Sequence, residues 1–497
     1  MSTEKLVLGL DVGTQSTKAV LYDANDRKIV AVESAPHDII QKEDGTSEQK
    51  AEWWDTAIKN SIAALPQEKV QQVLAIGVSG QQHGFVPMGN DGQVLYNAKL
   101  WNDTSTTTEC AQIEERFGGR EKMVQQVGNP MLPGYTAPKI AWLKNHQPEI
   151  YAKLATILLP HDYVNYKLTG VIAMEYGDAS GTGLLNIRTR RWDADMLKAL
   201  DPDKDLLPCL PKLIEQPVFG NVSADAAKAF GLPVKIPVCT GGGDNMMAAI
   251  GTGCVQNGVV SVSMGTSGTV FAYSDHPVID EKGEVAAFCD STGGWLPLVC
   301  TMNCTVATEL VRSMLNISVK ELDASAENVA PGSDGLLTLP FFTGERTPNL
   351  PGARGALIGL TPLNFTPGHL ARSAMEAALF GLRYGLDAIR RNGVELNEVH
   401  LTGGGAKSPL WRQMAADILG CTVCLPQIGE AAGFGAALKA LWMLEALAGN
   451  ASMSDIAKTH VKMRDETIPP NLETAQVYDA AYKNYLKAVE TVAPFFD

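Results

Sequence analysis

The sequence predicts an α/β protein of two similarly built domains that face one another across a cleft. Three observations carry this. "GLDVGTQSTKAVLYD" (Gly9 to Asp23) is echoed far downstream by "SVSMGTSGTVFAYSD" (Ser261 to Asp275). At a fixed offset the two share a Gly-Thr pair (Gly13-Thr14, Gly265-Thr266), a Thr three places on (Thr17, Thr269) and a closing Asp. Each copy then opens the same order of elements, hairpin strands followed by alternating helices and strands. Finally, 497 residues are too many for one ordinary core, so two large domains or three smaller ones are expected.

The elements follow from local patterns. "KLVLGLDV" reads as a strand, "TKAVLYDA" as its return and "RKIVAVESA" as a third strand. A helix is expected at "AEWWDTAIKNSIAAL", where Trp53, Ala57, Ile58 and Ile62 recur at helical spacing. "VLAIGVSG" is a buried strand ending in a glycine loop. The second half repeats this with "GVVSVSMG", "TVFAYSD" and "WLPLVCTMN". A long helix, Gly368 to Arg391, follows the Thr366-Pro367 cap and stops at Asn392-Gly393. Strand "EVHLTGGG", a helix from Ser408, strand "TVCLP" and a helix over Glu430 to Leu447 complete the half. The joint is expected near Asp244 to Gly253, which divides the chain into residues 1–246 and 247–497. Clefts between such domains bind ligands.

Bulk properties narrow the function. The 41 basic and 55 acidic residues leave a formal charge of -14, which argues against nucleic-acid or anionic-membrane partners. "MSTEKLVLGLDV" does not read as a signal peptide, and no run approaches the roughly 18 apolar residues of a spanning helix. Nine scattered cysteines do not form a secreted disulfide framework. Cys421 and Cys424 lie on a predicted strand, which turns their side chains to opposite faces. A cytoplasmic compartment is expected.

The glycine turns carry the chemistry. Gly13-Thr14-Gln15-Ser16 presents backbone N–H groups and hydroxyls together, and glycine lets the backbone approach an anion closely. A turn from each domain, the second at Gly265-Thr266-Ser267, would grip a polyphosphate from both sides. The echo differs at one place: Asp11 in the first copy is Ser263 in the second. A polyphosphate arrives with Mg²⁺, which needs only one or two carboxylates, and a second acid beside the phosphates would repel them. "TGGGDN" (Thr240 to Asn245) sets Asp244 at a strand end. "LTGGGAKSPLW" (Leu401 to Trp411) follows a strand and opens a helix, leaving room for a nucleoside. No Gly-Lys dipeptide exists, so a Walker P-loop is excluded, and neither triple-glycine run makes a dinucleotide fingerprint.

These residues resemble the sugar kinases of the FGGY family, in the actin/hexokinase/Hsp70 superfamily, along essentially the whole chain. "GYTAPKIAWLKNH" (Gly134 to His146) resembles the family's first signature and "GALIGLTPLNFTPGHLARSAME" (Gly355 to Glu376) its second. Within the family the similarity is greatest to xylulokinases, through "GQQHG" (Gly80 to Gly84), "LWND", "LLPHDY", "DASGT", "GGGDN" and "FTGERTP". Glycerol kinases carry Arg and Glu where this chain has Gln82 and His83, which counts against glycerol.

The resemblance implies two ribonuclease-H-like domains and ATP- and Mg²⁺-dependent phosphorylation of a ketopentose, D-xylulose at O5 first, with ribulose or an alditol as alternatives. Asp244 becomes the general base and Asn245 positions the sugar. Gln82 and His83 contact it, though many xylulokinases carry Met at position 82. Trp101 and Asp103 are further sugar-site candidates. Asp11 serves Mg²⁺ directly or through water, and Asp244 is a second candidate metal ligand. Thr14, Gln15, Ser16, Thr17, Gly265, Thr266 and Ser267 hold phosphates, while Gly404, Gly405, Ala406 and Lys407 border the nucleoside. Glu345-Arg346 reads as a supporting pair, with the Arg able to neutralise phosphate charge. The partners expected are the sugar and ATP, with no nucleic acid or membrane, and a homodimer is left open. Retention of both acids opposes a catalytically silent sensor or an ATP-driven chaperone.

Overall fold

The computed structural model describes residues 4–449 and 451–496. Two mixed sheets dominate it, and they share the connectivity of their first four strands but not of the last two. In the first, the order is Val218–Asn221, Pro237–Cys239, Ala75–Gly80, Leu6–Val12, Ser16–Asp23, Lys28–Pro36. In the second, it is Leu298–Thr301, Gly268–Ala272, Gly258–Met264, Leu396–Thr402, Thr422–Pro426, Met463–Ile468. Each sheet is built about its opening strand, antiparallel to the next strand in sequence and parallel to a later one on its other side. The near-continuous apolar runs of those opening strands follow from that central place, covered on both faces.

The predicted helices lie where their caps and periodicity set them. Thr366 accepts the His369 N–H at the start of Pro367–Arg391, and Ser408 does the same for Trp411 at Pro409–Leu419. One helix turns differently from expectation. In Ala51–Ala64 the fully buried indole is Trp54, whose N–H donates to Gln49 Oε1 at 2.9 Å, while Trp53 is only half-buried. Trp54 stands four and eight places before Ile58 and Ile62 and shares their face; the neighbouring Trp obscured that phase. Among the described residues no helix is long and apolar enough to cross a membrane. All nine cysteines are free, and Cys421 and Cys424 are buried.

The chain passes between the sheets through the helix Asp244–Thr252, so the boundary expected at 246/247 falls inside a helix. A second helix, Ala431–Leu447, returns from the C-terminal half to lie on the first sheet. Bare backbone makes this possible. A Cβ on Gly9 would sit 2.0 Å from the Gly433 carbonyl oxygen, and one on Gly77 would sit 2.0 Å from that of Ala436. The two helices cross just as closely, since a Cβ on Gly435 would meet the Met247 carbonyl oxygen at 1.8 Å. The halves are thus joined by contacts that admit no side chain, directly beneath the strand ends that face the cleft.

Candidate active site

The parallel strands Leu6–Val12 and Ala75–Gly80 end beside the short strand Gly242–Gly243, and this edge assembles the acids. Asp11 and Ser79 are register partners, and the Ser79 hydroxyl donates to Asp11 Oδ1 at 2.8 Å. Asp244 starts its helix at the next strand end. Its Oδ1 accepts the Asn245 N–H at 2.8 Å, and the Asn245 side chain donates onward to Gln82 Oε1 at 2.7 Å. Burial, then the nearby charges of Asp11 and Asp178, push the Asp244 carboxyl up to about 7. Burial likewise raises Asp11, offset by its Ser79 hydrogen bond and by Lys18, which itself pairs with Glu430 at 2.5 Å.

Asp244 and Asn245 form part of the wall of a cavity of about 240 Å³ between the halves. Gln82, His83, Trp101 and Ser267 line it as well, so six of the residues singled out in sequence meet there. Gln82 is buried, and its Nε2 has no partner, leaving its amide NH₂ to offer a ligand. His83 adopts a left-handed φ of 63°, with its ring between Tyr135 and Phe288 at centroid distances of 5.2 and 5.4 Å. Burial and the cations Lys139 and Arg346 hold its imidazole well below the usual histidine range, so the ring is neutral. Trp101 donates its indole N–H to the Thr14 hydroxyl at 3.0 Å.

Other candidates stand elsewhere. Asp103 does not line the cavity. It is fully buried and accepts from the Ser47 N–H, the Ser105 N–H and hydroxyl, and the Lys99 ammonium at 2.9 Å, so it anchors the loop that presents Trp101. Thr17 is also fully buried. The register explains why: Val12 pairs with Thr17 across four turn residues, whereas Met264 pairs with Gly268 across three. The fixed-offset echo therefore slips by one after the turn, and Thr269, paired with Ser263, lines the cavity while Thr17 is buried and does not.

Both turns nonetheless offer backbone donors. Gly13 N–H closes the first turn on Ser16 O, and the N–H groups of Thr14 and Gln15 have no acceptor among the described residues. In the second, the carbonyls of Gly265 and Thr266 accept from Thr305 and Cys304 at 3.0 Å, and the N–H groups of residues 265–267 have no acceptor among the described residues. Gly404 to Lys407 follow the strand next to this turn. Gly403 takes a φ of 89° with its Cα against the Met264 backbone, and a Cβ on Gly404 would meet nothing within 4 Å, so that side is open. The Ala406 carbonyl is fixed by Arg412 at 2.6 Å.

Sequence reasoning missed much of the cavity wall: Arg120, Tyr135, Phe288 and Asn349, with Arg346 seen only as a supporting residue. Glu345 does not pair with Arg346. It is buried and accepts from backbone or amide N–H groups of Met302, Asn303, Arg346 and Thr347. The Arg346 guanidinium has no hydrogen-bond or ion-pair partner among the described residues and lines the cavity. No motif spacing could have supplied this, since it depends on which loops the two halves bring together.

For Mg²⁺, the donor set fits. Asp11 keeps an oxygen beyond its Ser79 bond, Asp244 stands near it, and among the described residues no cluster of three potential ligands forms a cage. Mg²⁺ takes one or two carboxylates together with water and phosphate oxygens, and these two carboxylates are compatible with that.

The chain is similar to known carbohydrate kinases along its length. The N-terminal domain of the FGGY family of carbohydrate kinases matches residues 6–251, and its C-terminal domain matches residues 260–444. The chain is 40% identical over 490 residues to a xylulose kinase of Haemophilus influenzae, covering 97% of this chain and 99% of that one. The solved structure of a xylulose kinase from Brucella ovis superimposes with a TM-score of 0.89 at 31% identity, covering 99% and 100% of the two chains. A gluconate kinase from Lactobacillus acidophilus gives a TM-score of 0.91 at 26% identity, covering 99% of each. With both domains matched in order and two acids at the strand ends between them, the chain belongs to the FGGY family of carbohydrate kinases.

Proposed function

We propose that the protein transfers the γ-phosphoryl group of ATP to a ketopentose, D-xylulose foremost, giving D-xylulose 5-phosphate and ADP. The observation that carries this is the hydrogen-bonded row Asp244–Asn245–Gln82 on the cavity wall, which ends in an unpaired Gln82 amide donor. A sugar offers hydroxyls, and this row answers with neutral donors and acceptors plus one carboxylate. Asp244 accepts the proton of the attacking hydroxyl, the sugar oxygen bonds to the γ-phosphorus in line, and the β–γ bridging oxygen leaves with ADP. The free N–H groups of the two turns orient the phosphates from opposite sides. Mg²⁺, held at Asp11 with Asp244 as a second candidate, neutralises phosphate charge when bound. Neutral His83 donates or accepts toward the sugar without adding charge.

The Haemophilus relative's name supports the ketopentose. A second acceptor class, an aldonate, is favoured by one observation: the unpartnered Arg346 guanidinium, which suits a carboxylate. ADP release over a panel of D-xylulose, D-ribulose, alditols, glycerol and D-gluconate tests both. Highest kcat/KM on D-xylulose, lost in Asp244→Ala, supports the proposal. Highest kcat/KM on D-gluconate replaces the acceptor, and turnover surviving in Asp244→Ala removes the base.

A further inference from the structure

Lys439 lies on the returning helix Ala431–Leu447, almost fully buried, and its ammonium donates to the carbonyl oxygen of Gly241 at 2.6 Å. No carboxylate lies within ion-pair distance of it among the described residues. The Asp290 carboxyl feels its charge without pairing with it, and its one hydrogen-bond acceptor among the described residues is a peptide three residues before Asp244.

That peptide is held in place from the other side as well. Gly241 takes a φ of 64°, and a Cβ there would sit 2.1 Å from the Val78 carbonyl oxygen. A Cβ on Gly242 would meet Ser291 Oγ at 2.5 Å and one on Gly243 would meet Gln82 Cγ at 2.6 Å, so the strand is wedged between the sugar loop and the layer behind. Behind it lies a second cavity of about 230 Å³, lined by Lys439, Thr240, Glu175, Ser291 and Arg190 among others. The Lys439 side chain borders open space on that side. Its hydrogen bond ties the ammonium to the Gly241 carbonyl.

We propose that Lys439 is a positioning residue for phosphoryl transfer: it holds the Gly241 peptide, and through the rigid Gly241–Gly243 strand it sets the place of Asp244 in the cleft. The strut comes from a helix of the C-terminal half and ends on the catalytic strand of the N-terminal half, so it also ties the base to the relative setting of the two. The inference rests on the reading of Asp244 as general base.

The experiment is steady-state kinetics of Lys439→Met, Lys439→Gln, Lys439→Ala and Asp244→Asn with ATP and whichever acceptor the wild-type protein turns over fastest. Lys439→Met should lower kcat by about 10- to 100-fold with both KM values within about twofold, as for a displaced catalytic group. Lys439→Gln, which keeps a donor, should lose less. Lys439→Ala should regain at least about tenfold in kcat with added ethylammonium, which can enter the cavity and replace the missing ammonium, and should not respond to n-propanol. Ammonium-specific recovery would not arise from a packing role and decides the matter even if Lys439→Met fails to fold. Wild-type kcat in Lys439→Met, or an alanine variant indifferent to ethylammonium, overturns the proposal. Inactive Asp244→Asn beside unimpaired Lys439→Met would discard the strut alone; active Asp244→Asn would discard the base reading.

Discussion

The indole N–H of Trp101 donates to the hydroxyl of Thr14 at 3.0 Å, joining a wall of the cavity between the halves to the first glycine turn. The same hydroxyl reaches Gln81 Oε1 at 3.2 Å, and Gln49 holds the Thr14 carbonyl at 2.7 Å. Thr14 thus has its side chain engaged on the sugar side and its N–H free. Trp101→Phe keeps the wall and removes the tie. A lost hydrogen bond of about 1 kcal/mol predicts a three- to tenfold rise in KM for ATP. KM for the sugar should stay within about twofold, as two-substrate kinetics would show. A change confined to the sugar would mean that the tie does not reach the turn.

Asp244 makes a pH prediction. A base must be ionised, and this carboxyl is raised to about 7 by burial and by the charges of Asp11 and Asp178. The kcat/KM for the acceptor should fall about tenfold per pH unit below that value. Asp244→Asn should lower kcat by about 10² to 10⁴ across the range. Stability runs the other way. A raised carboxyl favours the folded state below its unfolded value near 3.8, and that contribution is lost as pH rises through about 7. Asp244→Asn should therefore melt higher than wild type at pH 8, with the difference gone by pH 4. A variant that melts lower at pH 8 would mean that the carboxylate is a structural cap.

Asp11 is expected to set the metal requirement. Its Oδ1 is committed to Ser79, and Lys18 opposite it is taken by Glu430. Asp11→Asn should raise the Mg²⁺ concentration for half-maximal activity by about tenfold or more, with Ser79→Ala doing the same to a smaller degree. Titrating activity against Mg²⁺ at saturating ATP measures this. An unchanged midpoint with a lower kcat would place Asp11 outside metal binding.

The strands, the duplicated order of elements and the acids at strand ends were legible because each is a local pattern: apolar runs, glycine turns, one Asp after three glycines. What was not legible depends on register and on distant loops. The one-residue difference between the two turns put Thr17 beneath the surface and Thr269 in the cavity, and identical spacing in sequence hid it. Asp103 read in sequence as either touching the substrate or orienting another side chain, and its oxygens meet Ser47, Lys99 and Ser105. Only the folded loop shows which way that carboxylate turns. Lys439 carried no motif at all; its meaning comes from a carbonyl 198 residues away.

Arg346 gives the sharpest test of the acceptor. It lies in the C-terminal half and its guanidinium reaches the sugar cavity near Gly134 and His83, where it depresses the imidazole. Its sequence neighbour Glu345 is spent on four N–H groups, and no described residue forms an ion pair with Arg346. An unpaired cation in this cavity acts on whatever negative or electron-rich group arrives. If that group is a sugar hydroxyl, Arg346→Leu costs one charge-assisted hydrogen bond of roughly 1.5–3 kcal/mol, about 10- to 150-fold in kcat/KM for D-xylulose. If it is a carboxylate, the same variant should lose far more on D-gluconate than on D-xylulose, because an ion pair in a partly desolvated site is forfeited with it. If it meets the transferring phosphate, every acceptor should lose kcat by the same factor with KM unchanged. The ratio of the D-xylulose and D-gluconate losses in this one variant separates the three.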